Sequence, residues 1–239
     1  MAAEAFAGVH RRRCYLVRHG HVEYFDGQGK PLDPRNVPLS RKGAQQAWAL
    51  GQVLQDARVD RALCSDYPRA RQTLELILPG HGVPIESLPE LREIRAGRLR
   101  ELERESLPEQ VLGAYRNAGA VNACFLGGER WDEFQSRILG LFQGLIQDPS
   151  WQSVLIVSHD AVNRVILSWA TGLGFGAIAA FEQDPACLNV LDIDTRDGQL
   201  LGAVIRTLNY TPYSPHKAGI HDTVLENLFR AIQPESLTA

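Results

Sequence analysis

The chain lacks the features that mark several large classes of protein. Its 239 residues hold four cysteines, Cys14, Cys64, Cys124 and Cys187, and no two form a Cys-x-x-Cys pair, which argues against a cysteine-built metal site. Scattered thiols fit a reducing compartment, so a cytoplasmic location is expected, with Cys14 and Cys64 as small core residues. Positive charge is not in excess. The formal net charge is -3, which gives no reason to expect a nucleic-acid partner. The N-terminus has no apolar core of the secretory type, and Arg11-Arg12-Arg13 reads as a solvated lead-in. The uncharged stretch from Val165 to Phe181 is broken by Gly172, Gly174 and Gly176 and edged by Arg164. It predicts a buried helix and loop, not a membrane span. Internal repeats and low-complexity tracts are absent. What is left is a soluble enzyme long enough for one domain, or one domain with an inserted lobe.

Against these absences, Leu16-Val17-Arg18-His19-Gly20 stands out. An apolar strand from Cys14 to Val17 delivers a guanidinium and an imidazole to its C-terminal end, where open α/β sheets place ligands. Gly20 lets the backbone turn and approach a ligand closely. A neutral imidazole is a nucleophile near neutral pH, and a guanidinium grips phosphate through paired hydrogen bonds. The alternative is a strand-end turn without chemistry. Two further segments bear on the choice. After the apolar stretch Val59 to Cys64 comes Ser65-Asp66-Tyr67-Pro68-Arg69. Pro68 suits a first helical turn, which puts Arg69 at a helix N-terminus, where anions are favoured. Ser153 to Ser158 is a buried-strand run ending in His159 and Asp160, followed by a helix from Val162 to Thr171. Arg18, His19, Arg69 and His159 thus each follow a predicted strand. His19 and His21 also form a His-x-His pair, but no third and fourth metal ligands are evident. His10, His81, His216 and His221 are expected to face solvent.

On these segments the chain resembles the histidine phosphatase superfamily, also called phosphoglycerate-mutase-like. The matching motifs run in order: Leu16 to Gly20, Pro38 to Ala47 with Leu50-Gly51, Ser65 to Thr73, Leu91 to Gly97, Gly127-Gly128-Glu129, and Val157-Ser158-His159. They span about Cys14 to Asp194. The resemblance implies one domain over 1–239, a three-layer α/β/α sandwich around a mostly parallel sheet, with a capping insertion around 79–129. It assigns His19 as the nucleophile that becomes phosphohistidine, Arg18, Arg69 and His159 as the phosphate pocket, and Glu93 as proton donor. Gly20, His21 and Asp160 border the substrate. The chain departs from the family pattern at His21-Val22-Glu23 and at Asp160-Ala161, after its two histidines.

The implied activity is hydrolysis of a small phosphomonoester, with no cofactor and no metal. The alternatives are a cofactor-primed mutase, for which Arg92, Arg95, Arg98, Arg100 and Arg104 are the nearest candidate substrate-gripping residues, and a catalytically weak phosphoester-binding regulatory module. Gly127 to Trp131 suggests ribazole phosphate as one substrate option. Physical logic supports the assignment independently. Phosphoryl transfer needs positioned charge around the equatorial oxygens, and a leaving alkoxide needs a proton from a carboxyl of raised pKa.

The remaining pattern predicts a loop from His21 to Pro38, punctuated by Gly27, Gly29, Pro31 and Pro34, and a helix capped by Ser40 and reaching about Gln55. Glu101, Glu103 and Glu105 read as a solvated helix face. Trp131, Phe134, Ile138, Leu141, Phe142 and Leu145 recur at helical spacing. Leu188 to Ile193 and Leu200 to Leu208 flank Asp197-Gly198, a hairpin signal. A Pro-rich loop from Thr211 to His216 and a short helix from His221 to Ile232 close the chain.

Overall fold

Alternation along the strands builds the core in two halves. In the first strand, β1 (His10–Arg18), Cys14 and Leu16 point to one face and Tyr15 and Val17 to the other, as the two-residue side-chain period requires. The computed structural model describes residues 7–28, 32–80, 82–98, 102–103 and 105–232. Gly29, Pro31, His81, Arg100, Glu101 and Arg104 lie outside them. The other strands are β2 (Arg61–Ser65), β3 (Ile85–Leu88), β4 (Ser153–Ser158), β5 (Leu188–Arg196) and β6 (Gln199–Tyr210). They form one six-stranded sheet in the order β3-β2-β4-β1-β5-β6. β3, β2, β4 and β1 are mutually parallel, and β5 runs antiparallel to its neighbours β1 and β6. The β5–β6 turn places Asp197 and Gly198 at φ 50° and 77°, the left-handed pair that tight hairpins demand.

Helices α1 (Arg41–Leu54) and α2 (Pro68–Ile77) bury Leu50, Leu54, Leu74 and Ile77 against one sheet face. On the other face lie α4 (Trp131–Gln147) and α5 (Asp160–Thr171), with the short α3 (Leu107–Leu112) and α6 (Val224–Ile232) outside them. Phe134, Ile138, Phe142, Val162 and Ile166 fill that half of the core. The two faces follow from the crossovers. The chain steps outward from β1 to β2 to β3 and then returns to β4 between β2 and β1, so a constant crossover hand puts the outbound and returning helices on opposite faces. The result is the three-layer α/β/α sandwich. Among the described residues no helix is long and apolar enough to cross a membrane.

Three expectations are corrected. Arg11 to Arg13 are not a lead-in but part of β1, with Arg11 and Arg13 exposed as expected and Arg12 buried. Arg11 pairs with Asp194 at 2.7 Å and Arg13 with Asp192 at 2.8 Å. Arg12 is buried, stacks 4.3 Å from the Trp151 ring and donates to the carbonyls of Ile146 and Asp148. The segment 79–129 is not wholly a cap, because it contains β3, an edge strand of the sheet itself. Glu103 and Glu105 are exposed as expected but precede α3 rather than lie on a helix.

Candidate active site

The strand register brings the two histidines together. β1 and β4 pair in parallel with Arg18 opposite Ser158, so the next residues, His19 and His159, emerge side by side at the C-terminal sheet edge. Their ring centroids lie 5.1 Å apart. β2 pairs with β4 on its other side, which places Ser65 Oγ 2.9 Å from His159 Nε2. Tyr67 ends the β2 turn, and Pro68 starts α2 at its first position. Arg69 therefore projects from the first turn of α2 back over the strand ends. Its Nε donates to His19 Nε2 at 3.1 Å, its Nη2 lies 3.4 Å from His159 Nδ1, and its Nη1 donates to the Pro34 carbonyl. Arg18 donates to the Gln183 carbonyl at 2.6 Å, and its buried Nε has no partner, leaving a donor for an anion.

His19 is held in the form a nucleophile needs. Its Nδ1 lies 2.7 Å from the Gly20 carbonyl, an acceptor, so Nδ1 carries the proton and Nε2 keeps its lone pair. Burial, and then the Arg69 and Arg18 guanidiniums, hold its pKa well below the usual imidazole value. Burial and Arg69 lower His159 in the same way. Glu93 is shifted oppositely. Burial, reinforced by the nearby Asp160 carboxylate, pushes its carboxyl up to about 7 against the pull of Arg18. That carboxyl accepts from the backbone N–H of Ile94 at 3.0 Å and of Ala161 at 3.2 Å, the latter in the first turn of α5.

Close backbone packing explains the glycine motifs. A Cβ on Gly20 would lie 2.5 Å from the Gly43 carbonyl, and one on Gly43 would lie 2.1 Å from the His21 carbonyl. Gly20 is thus required for the docking of α1 against the turn after β1, a reason the sequence reading did not give. Its N–H donates to Thr73 Oγ1. A Cβ on Gly128 would lie 2.1 Å from the Arg95 carbonyl, and Glu129 accepts from Arg95 N–H while pairing with Arg137. The Gly-Gly-Glu turn therefore clamps the segment that carries Glu93.

Arg18, His19, Arg69 and His159 meet as the sequence implied, and Glu93 is electrostatically tied to Arg18. His21 is partly buried, with Nδ1 2.8 Å from Ser40 Oγ. Asp160 does not offer its carboxylate to a substrate. It is buried, with one oxygen 2.7 Å from Arg164 Nε and the other 2.6 Å from the Tyr115 hydroxyl. Among the described residues no group of three His, Cys, Asp or Glu side chains gathers as metal ligands do. Sequence reasoning missed the supports: Ser65 beneath His159, Tyr67 edge-on to His159 and 4.8 Å from Arg69, and Tyr115. Ser65, Tyr67 and Thr73 were visible within a matched motif, but nothing in the sequence pointed to Tyr115.

Known proteins share this arrangement of chain and fold. The adenosylcobalamin/α-ribazole phosphatase of Salmonella typhimurium is 31% identical over 76% of this chain and 90% of that protein. A probable phosphoglycerate mutase of Erwinia tasmaniensis is 27% identical over 91% of this chain and 99% of its own. The crystal structure of the α-ribazole phosphatase from Shigella flexneri superposes with a TM-score of 0.66 at 27% identity, covering 82% of this chain and 96% of that one. The family model for the histidine phosphatase superfamily, branch 1, matches residues 14–205. By that match and by its strand-end pair of histidines and arginines, the chain belongs to the histidine phosphatase superfamily.

Proposed function

We propose that this protein hydrolyses a small phosphomonoester through a phosphohistidine at His19. The observation that carries the reading is the opposite tuning of two groups in one pocket, a neutral imidazole with an open Nε2 and a carboxyl lifted to about 7. Separated tuning of this kind assigns nucleophile and acid. The substrate phosphate takes the donors of Arg18, Arg69 and His159, displacing Nε of Arg69 from His19. His19 Nε2 then bonds to phosphorus while the ester P–O bond breaks, and the leaving oxygen takes the Glu93 proton. Water attacks phosphorus next, the P–N bond breaks, and the Glu93 carboxylate recovers a proton from that water. The fixed guanidiniums offset the charge on the equatorial oxygens without metal.

Hydrolysis is favoured over mutase transfer because two of the candidate substrate-gripping arginines are already engaged. Arg92 pairs with Asp66 and Arg95 with Glu129. The relatives' names put α-ribazole 5'-phosphate first among substrates to try. The Tyr24 and Tyr67 rings beside Arg69 offer a stacking surface for an aromatic alcohol. A phosphate-release screen over ribazole phosphate, sugar phosphates, phosphoglycerates and nucleotides tests the reading. Release accompanied by label on His19 after basic quench supports it. Isomerisation of 3-phosphoglycerate that depends on a bisphosphoglycerate primer and outruns phosphate release overturns it in favour of the mutase. Binding of phosphate esters without turnover of any of them leaves the regulatory module.

A further inference from the structure

Asp160 was expected to border the substrate, and its carboxylate is taken by Arg164 and Tyr115. It opens α5, and Ala161, the next residue, donates its N–H to Glu93. Two carboxyl groups thus sit at one helix end, and the second is fully committed. The Tyr115 hydroxyl is held protonated well above the usual phenol range by burial and by Asp160, so it donates. The Arg164 guanidinium also only donates. Both oxygens of Asp160 are therefore acceptors, and the side chain is a carboxylate. Arg164 is itself buried. Its guanidinium lies 4.2 Å from the Tyr115 ring, donates to the Ile178 carbonyl at 3.3 Å and reaches Glu182 at 3.0 Å. Glu182 in turn accepts from the backbone N–H of Val224, which opens α6. The carboxylate is anchored at both oxygens, by Arg164 and by Tyr115, and its Arg164 partner is itself held in place.

We propose that Asp160, clamped by Tyr115 and Arg164 beside Glu93 at the start of α5, is a positioning residue that holds Glu93 in its proton-donating form. The proposal rests on Glu93 as the general acid and deepens that reading. The mechanism is like-charge repulsion. A fixed negative charge in a dry site makes a second ionised carboxyl costly, so the neighbour keeps its proton. The other groups facing Glu93 act in both directions. Arg18 from the end of β1 favours its ionised form, whereas Tyr115 is neutral. Arg137 from α4 donates to the carbonyls of Glu90 and Arg92 and pairs with Glu129, and Arg92 pairs with Asp66. His19 and His159 are held neutral. Asp160 is thus the negative charge that opposes Arg18, offset in part by its own partner Arg164.

The test separates Asp160 from the catalytic reading. The full chain, labelled with ¹³C at glutamate carboxyls, is titrated by NMR, with the Glu93 signal assigned by its loss in Glu93→Gln. The wild-type midpoint is expected at about 7, and Asp160→Asn is expected to lower it by about one pH unit. Asp160→Glu, which keeps the charge, restores it, and Tyr115→Phe, which removes a clamp but no charge, leaves it near the wild-type value. If Asp160→Asn does not fold, Asp160→Asn/Arg164→Gln removes the buried pair together, which folds tolerate better, and the midpoint falls by less than in the single variant, because the opposing charge of Arg164 goes with it. An unchanged midpoint in a folded Asp160 variant overturns the proposal, as does an equal fall in Tyr115→Phe, which would make the effect one of packing. Turnover of β-glycerophosphate supplies the second reading. Its alkaline limb moves to lower pH in Asp160→Asn, whereas 4-nitrophenyl phosphate, whose leaving group needs no proton, keeps its profile. If Glu93→Gln hydrolyses β-glycerophosphate at the wild-type rate, the general-acid reading fails, and the NMR result still decides what Asp160 does to Glu93.

Discussion

The two ends of β1 use the same residue type for opposite purposes. At the N-terminal end, Arg11 and Arg13 each meet a carboxylate on β5, and Arg206 on β6 shares Asp192 with Arg13. Their charge is neutralised by these carboxylates at the surface, and the pairs tie three strands together. At the C-terminal end, Arg18 and Arg69 have no carboxylate within ion-pair distance among the described residues. Their partners are the carbonyls of Gln183 and Pro34 and the neutral rings of His19 and His159. Carbonyls and imidazoles satisfy hydrogen bonds without cancelling charge. The fold thus carries uncompensated positive charge at one end of a strand and neutralises it at the other. The difference teaches that an arginine here keeps its charge available to an anion by what it is not paired with.

The largest expected effect is at the catalytic end. His19→Ala should reduce phosphate release by about 10⁶-fold, the scale of losing a nucleophile, with an unchanged circular-dichroism melt. Label trapped elsewhere after basic quench would move the nucleophile. Next, Glu93→Gln should slow alkyl phosphate hydrolysis by about 10²–10⁴-fold and 4-nitrophenyl phosphate far less. The sign of the pH profile follows. Glu93 acts when protonated and sits at about 7, so the wild-type rate on alkyl esters falls as pH rises through that value, and the variant loses the limb. Equal slowing on both substrates would make Glu93 a positioner of substrate or water.

The comparison itself is sharpened by a matched pair of substitutions. Arg69→Ala should lower kcat/KM by about 10²–10³-fold with little loss of stability, since it removes a buried cation that no carboxylate offsets. Asp192→Asn should do the reverse, costing about 1.5–3 kcal/mol in denaturant unfolding through weakened hydrogen bonds to Arg13 and Arg206 and leaving kcat/KM unchanged. If Arg69→Ala destabilises as much as Asp192→Asn, the two ends are not different in kind. The smallest effect concerns metal. EDTA should leave activity within about twofold, because fixed guanidiniums supply the positive charge, and vanadate should inhibit. Activity lost in EDTA and restored by a divalent ion would revive His19 and His21 as ligands.

Legibility followed the range of each signal. Pro68, the Ser40 cap whose Oγ accepts from Gly43 N–H, the Asp197-Gly198 turn and the apolar stripe of α4 act within a few residues, so each was readable where it stood. The family motifs carried Glu93, which no local pattern singles out from Glu90. His21 and Asp160 were expected near substrate because they adjoin the two histidines, yet adjacency in sequence says nothing about where a side chain turns.

The sequence by itself determined the strand-end placement of Arg18, His19, Arg69 and His159, because alternation, turn residues and helix starts set local geometry before any tertiary contact forms. Tertiary structure alone decided which arginines are neutralised. Arg13 meets Asp192 and Tyr115 meets Asp160 across 179 and 45 positions of chain, and pairing over such distances depends on strand order and register. It also decided that Gly20 serves the approach of Gly43, and that Glu93 is dry enough to hold a proton near neutral pH. Burial and close backbone contact are properties of the packed core, and no short stretch of sequence contains them.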